Sequence, residues 1–171
     1  TAALRIWVID TVSVNQIKRL LPGKVRSRVL AELDRRARLG DFVYPPEVLD
    51  ELERVDDISF RWAKKHEANG TRYGHLPDEA KAVLARVPDL IDPEKISVDG
   101  IDDADPHVIA LAVYIKNEPE ERHEITIITE DFNSTHKKRG LADAAGLFGI
   151  PCIRFRSFLM DEKIWDGKEG T

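Results

Sequence analysis

Apolar residues in this chain fall into two kinds of run, some short and unbroken, others recurring every three or four positions. Leu4 to Ile9 is short and unbroken, ends at Asp10, and has the length of a buried strand rather than a helix. Glu124 to Thr129 is the clearest strand, β-branched throughout its core. Asp41 to Tyr44 and Pro151 to Phe155 read as two shorter strands. Between them the period changes. Ser13 can cap a helix running to about Leu21, where Pro22-Gly23 breaks it; Val25, Val29, Leu30, Leu33 and Ala37 then trace a second helix that stops at Gly40. Pro45-Pro46 turns the chain into a segment from Glu47 to Val55 with the stripe Val48, Leu52 and Val55.

Residues 56–91 predict a helical cap, with Ile58 to Ala68 and Asp78 to Val87 separated by the turn-rich stretch Asn69 to Gly74. Pro88 to Asp105 is acidic and irregular and leads into a helix over Pro106 to Asn117. Two further helices are predicted over Lys138 to Phe148 and Ser157 to Trp165. Strands alternating with helices define an α/β protein, expected as a three-layer α/β/α sandwich around a mostly parallel sheet of four or five strands. Ligands of such sheets bind beyond the carboxyl ends of the strands, so residues just after a strand are the first place to look for chemistry.

Composition bounds this picture. At 171 residues, 42% of them hydrophobic, the chain suits one core and one domain over 1–171. Its apolar runs fall short of the roughly 20 residues of a membrane span, and a soluble, cytoplasmic protein with no membrane partner is expected. The lone Cys152 makes neither an internal disulfide nor a thiolate zinc site, and with Trp7 and Trp165 it is assigned to packing. A net charge of −5 argues against a surface that is cationic throughout. Positive residues nevertheless cluster, early from Lys18 to Arg38 and late at His136, Lys137, Lys138 and Arg139. Such clusters are either solvated faces or phosphate contacts, and Arg36, Lys137, Lys138 and Arg139 are the candidates for touching RNA.

The chemistry is carried by acids. Asp10 and Asp131 follow the two best strands, where an Asp can equally satisfy local backbone amides. Glu51 falls on the apolar stripe between Val48 and Val55, a position that demands either a salt-bridge partner or a cation. Asp105 precedes Pro106 at the head of an apolar helix, which fits a capping residue whose second oxygen remains available to a metal; Asp103 and Asp102 are its neighbours and rivals. Four carboxylates brought together repel one another unless they hold a hard divalent cation, and Mg²⁺ or Mn²⁺ is the natural occupant. Such an ion acidifies a water, aligns it for attack on phosphorus and stabilises the leaving oxygen. The five histidines show no paired ligand spacing, and neither a glycine-rich phosphate loop nor a serine nucleophile elbow is present.

Four segments, in order, resemble the PIN domain family: Ile9-Asp10-Thr11, Pro46 to Leu52, Ala104 to Ala112, and Thr129-Glu130-Asp131. The similarity is strongest to a VapC-like subgroup of uncharacterised bacterial and archaeal PIN proteins, in which a segment like Asp56 to Ala63 follows the second acid. The resemblance implies a metal-dependent endoribonuclease, often the toxin of a toxin–antitoxin pair. Its expected partners are an RNA substrate, an antitoxin protein and a second copy of the chain in a homodimer. Position by position it assigns Asp10, Glu51, Asp105 and Asp131 to catalysis and metal binding, with Ser13 and Thr129 in support; the neighbouring Asp103 is counted as a further supporting acid from its place in the sequence. Val12 stands where many relatives carry Ser or Asn, which leaves that contact to Ser13, and Glu130 competes with Asp131 for the last place. Two other readings belong to different classes. One is a PIN-shaped binding scaffold without catalysis; the other is a haloacid-dehalogenase-type phosphatase, which would require an acid where Val12 stands.

Overall fold

A computed structural model describes residues 4–92, 96–97, 100–101 and 103–168. Asp102 lies outside the described residues. In chain order the first half comprises β1 (Leu4–Ile9), α1 (Thr11–Arg19), α2 (Gly23–Arg38), β2 (Phe42–Val43), α3 (Pro46–Leu52), α4 (Ile58–Lys65), α5 (Glu67–Gly70) and α6 (Pro77–Arg86). The second half comprises β3 (Ile96–Ser97), β4 (Gly100–Ile101), α7 (Asp105–Lys116), β5 (His123–Ile128), α8 (Leu141–Leu147), β6 (Cys152–Ile153) and α9 (Phe155–Asp161).

β2, β1, β5 and β6 form, in that order, an all-parallel four-stranded sheet, flanked by helices in an α/β/α arrangement. The two unbroken apolar runs are its central strands, because a strand covered on both faces has no polar side to show. From β1 the chain goes to β2 on one side, and β5 pairs with β1 on the other. The order of strands therefore reverses at the β1–β5 seam, the kind of switch point at whose carboxyl edge open α/β sheets bind their ligands.

Strand alternation sends Trp7 and Phe42 to one face and Ile6 and Val8 to the other. On the first face Trp7 meets Phe158 of α9 at 5.1 Å between ring centroids, and Phe42 meets Trp62 of α4 at 6.1 Å, both edge to face. Trp62 is thus core, as is Trp165, while Cys152 is partly buried against the core. α7 packs against β1 and β5 and is itself covered by α6 and α8. That explains why it is buried nearly all round, from Pro106 to Ala112, rather than along one stripe.

Several elements differ from the sequence reading, each for a local reason. Asp10, not Ser13, caps α1, accepting from the Ser13 amide at 2.9 Å, and Ser13 sits buried inside the helix. α3 ends at Leu52, so Val55 lies beyond it and is exposed. α8 begins at Leu141 rather than Lys138, leaving Lys138 in the preceding loop. The stretch read as irregular contains an antiparallel hairpin of β3 and β4. The segment predicted as a helical cap is incorporated into the layers: α4 packs on α1 and α3, and α6 on α7.

Gly70 shows how tightly α5 is seated. Its carbonyl accepts from the Tyr44 amide at 3.0 Å, and a Cβ there would lie 2.3 Å from the Tyr44 ring. That ring is fully buried, and its hydroxyl is tied to the Ala63 carbonyl, so it has nowhere to retreat. Gly70→Ala is expected to destabilise the fold by about 1–3 kcal/mol through overpacking. Thermal denaturation checks this, and an unchanged melting temperature would show that the ring yields.

Candidate active site

The register of β1 and β5 pairs Ile9 with Ile128, and the Asp10 amide continues the ladder by donating to the Ile128 carbonyl at 3.1 Å. Asp10 and Thr129 therefore emerge side by side at the switch point. The Thr129 hydroxyl donates to Asp10 Oδ2 at 2.5 Å and accepts from the Asp131 amide at 3.0 Å, joining the two strand ends. Asp10 is 2% exposed. Burial pushes its carboxyl up from 3.8 to about 6, even though hydrogen bonds from Thr129 and Ser13 pull the other way. Ser13 meets Asp10 through its amide, with its hydroxyl beside the same carboxylate.

α7 brings the third acid. Ala104, not Asp105, is the N-cap of α7, and it is Asp103 Oδ1 that accepts from the first helical amide, that of Asp105, at 2.9 Å. Asp105 is the first residue of α7, and its carboxylate is turned toward Lys138, whose Nζ lies 3.0 Å from Asp105 Oδ2 and 3.8 Å from Asp103 Oδ2. Burial, and then the neighbouring charge of Asp103, push the Asp105 carboxyl to about 7 against the pull of Lys138, with Asp10 adding to the rise. Burial alone would lower Lys138, but the charges of Asp105, Asp103 and Asp131 outweigh it and hold the ammonium above its ordinary range.

Glu51 reaches the same edge from α3, where its Oε1 accepts from the Thr11 hydroxyl at 2.6 Å, one residue beyond Asp10. Asp131 Oδ2 accepts from the Leu141 amide at 3.1 Å and so also serves the start of α8. Its competitor Glu130 is committed elsewhere. It accepts from the Phe155 amide at 3.0 Å and pairs with Arg154 at 3.3 Å, which directs it to the head of α9. Asp131 is the member of the pair that shares the field at Lys138.

The expected carboxylates are thus gathered at one edge, yet not drawn into a tight knot. Among the described residues, the one set of three acidic or histidine side chains whose donor atoms all lie within 4.8 Å of one another is Glu118, Glu121 and His123, at the opposite end of β5. The looser spacing of Asp10, Asp105 and Asp131 has a physical cause: like charges separate, and amides and hydroxyls already occupy several of their oxygens. The donor set fits a hard divalent ion, being all oxygen, and the Lys138 ammonium shows that these acids accept a cation among them.

The candidate RNA contacts divide. Arg36 is engaged within the fold, bound to Glu162 at 2.6 Å and Glu32 at 3.3 Å and lying over Trp7. Arg139 pairs with Asp89 at 3.1 Å, and Lys138 is held by the acids. Lys137, which precedes both, is exposed in the loop between β5 and α8. An apolar groove of about 520 Å³ is lined by Val83, Val113, Tyr114 and Phe148 toward the far end of α7, away from the acids. The role of Lys138 as internal counter-ion was not visible in the sequence, where it reads only as one of four consecutive basic residues.

No curated protein and no solved structure matches the chain. One family model does, over residues 7–165, a span that includes all four acids and the loop carrying Lys138. The chain belongs to the family described as "Domain of unknown function (DUF4411)".

Proposed function

We propose that this protein is a Mg²⁺- or Mn²⁺-dependent nuclease of the PIN type that hydrolyses phosphodiester bonds in RNA. The observation that carries this reading is the burial of two carboxyls, Asp10 and Asp105, near enough that the charge of the first raises the second, with the Lys138 ammonium 3.0 Å from Asp105. Burying charges of one sign together is unfavourable for folding alone, and sites of this kind are built for cation chemistry.

Asp10, Glu51, Asp105 and Asp131 would hold the ion, which when bound supplies an acidified water and neutralises charge building on the phosphate. The remaining residues position these four. Thr129 fixes Asp10, Thr11 fixes Glu51, the Leu141 amide fixes Asp131, and Asp103 sets the first turn of α7 on which Asp105 rides. Lys138 balances the acids before the ion arrives, and Lys137 offers an exposed charge beside them for the RNA backbone.

A cleavage assay on mixed RNA, titrated with Mn²⁺ and reversed with EDTA, tests this reading directly. Activity is expected to follow the metal, and cleavage that survives EDTA would reject it. Mn²⁺ binding without turnover would favour the scaffold reading, which gains from the spacing of the acids and the Lys138–Asp105 contact. The two cationic positions are expected to separate in RNA-binding titrations. Lys137→Ala should weaken affinity and reduce the salt slope by about 1, whereas Arg36→Ala should leave the slope unchanged and lower the melting temperature. An unaltered slope in Lys137→Ala would exclude it from the phosphate path.

A further inference from the structure

α7 ends at Lys116 and β5 begins at His123, and the short connection between them carries Glu118 and Glu121. The His123 side chain is 2% exposed, and neither of its ring nitrogens has a hydrogen-bond partner. Its Nε2 lies 3.1 Å from Glu121 Oε2 and 3.4 Å from Glu118 Oε2. These are distances of approach without hydrogen-bond alignment, and a buried imidazole left in that state is costly.

The spacing has a simple explanation. Ligands bound tetrahedrally at 2.0–2.1 Å stand about 3.3 Å apart, which is the separation seen from Nε2 to each carboxylate. All three donors lie within 4.8 Å of one another. Of the two cations beside the cluster, Lys116 donates to the Gly149 carbonyl at 3.3 Å, and Arg122, between Glu121 and His123, is exposed. One imidazole nitrogen with two carboxylate oxygens is a borderline donor set that suits zinc better than magnesium.

We propose that Glu118, Glu121 and His123 form a Zn²⁺ site at the amino-terminal edge of the sheet, separate from the acids at its carboxyl edge, with water in the fourth position. The site pins the connection between α7, whose other end carries Asp105, and β5, whose other end leads to Asp131. Its role is to brace the framework, since its ligands close a short loop far along both elements from the carboxyl edge. Histidine spacing gave no sign of it, because the ligands are one histidine and two glutamates brought together by a turn.

The test is calorimetric titration of Zn²⁺ into the full chain, comparing wild type with Glu121→Gln and Asp10→Asn. The Glu121 side chain is 59% exposed, so its amide replacement does not threaten folding. Wild type and Asp10→Asn are expected to share a Zn²⁺ affinity that Glu121→Gln lowers at least tenfold, since even groups behind the ligands contribute that much. At equal Zn²⁺ the melting temperature of the first two proteins should rise by more than that of the third. Absence of Zn²⁺ binding by wild type, or full affinity in Glu121→Gln, would overturn the proposal, as would loss of the same binding in Asp10→Asn.

Discussion

Asp10→Asn is expected to abolish RNA cleavage and also to make the metal-free protein more stable at about pH 8, an outcome opposite to that of most substitutions in a core. The second half follows from proton linkage. Asp10 has an ordinary value of 3.8 and a folded value of about 6, so the folded state binds more protons than the unfolded one between those limits. Stability from this group is complete below about pH 4 and is lost as pH rises through about 6. Two units correspond to about 3 kcal/mol at high pH, and burial leaves no solvent screening to reduce it. An amide removes that penalty while still accepting from the Ser13 amide, and weakening the Thr129 contact costs about 1 kcal/mol. For a chain of this size the balance is a rise of roughly 4–8 °C in melting temperature. The rise should vanish near pH 4, where the carboxyl is already protonated. The activity loss should exceed a hundredfold, since residues merely behind metal ligands account for about ten- to a hundredfold. Thermal scans at both pH values, beside cleavage rates, check the two halves. A melting temperature that falls at high pH would mean that Asp10 is held by contacts stronger than its desolvation.

Mn²⁺ affinity is expected to climb steeply with pH, by two to three orders of magnitude between about pH 5 and 8. Carboxyls near 6 and 7 must release protons before they can act as ligands, and over that interval Asp10 supplies about tenfold and Asp105 the larger remainder. The sign is fixed by the raised values: metal competes with protons, so acid weakens binding. Calorimetry in buffers of different ionisation enthalpy should show between one and two protons released per ion at about pH 6. Asp105→Asn should flatten the dependence and Lys138→Met should strengthen binding, because the first removes the more easily protonated ligand and the second removes the competing cation. Affinity that is flat across this range in wild type would mean that Asp10 and Asp105 do not meet the ion.

What could be read from the sequence depended on how local the determining signal was. β1 and β5 were visible because their burial on both faces is written as unbroken apolar runs, and α7 because Val108, Ile109, Ala112 and Val113 recur at helical spacing. Asp10 and Asp131 could be placed at the site because each follows such a strand. Capping was harder: Asp10 against Ser13, and Asp103 against Asp105, differ by two or three residues, and either member of each pair has the chemistry. The start of α8 was missed because residues 132–140 are held by side-chain contacts, such as Ser134 with Asp143 and Ser134 with the Gly140 amide, that no periodicity announces. Arg36 and Lys138 were both read as surface charge. Their partners, Glu162 and Asp105, lie 126 and 33 residues away. Only the fold could pair them.

The framework explains why the acids stand slightly apart. Each is tied to an element other than the one that delivers it, Asp10 and Glu51 to α1 and Asp131 to α8, and Lys138 supplies positive charge among Asp103, Asp105 and Asp131. An ion that replaces the ammonium adds a second charge and takes more oxygen ligands, which favours closing the remaining distance. The switch point supplies the carboxyl edge and α7 supplies the lever that carries Asp105 to it.

Anomalous diffraction from crystals grown with Mn²⁺ at about pH 8 examines this most directly. The expected result is a single strong peak bonded to carboxylate oxygens of Asp10 and Asp105, with the Lys138 ammonium displaced from Asp105. Crystals saturated with Mn²⁺ that keep the Lys138–Asp105 contact and show no peak between β1 and α7 would contradict it.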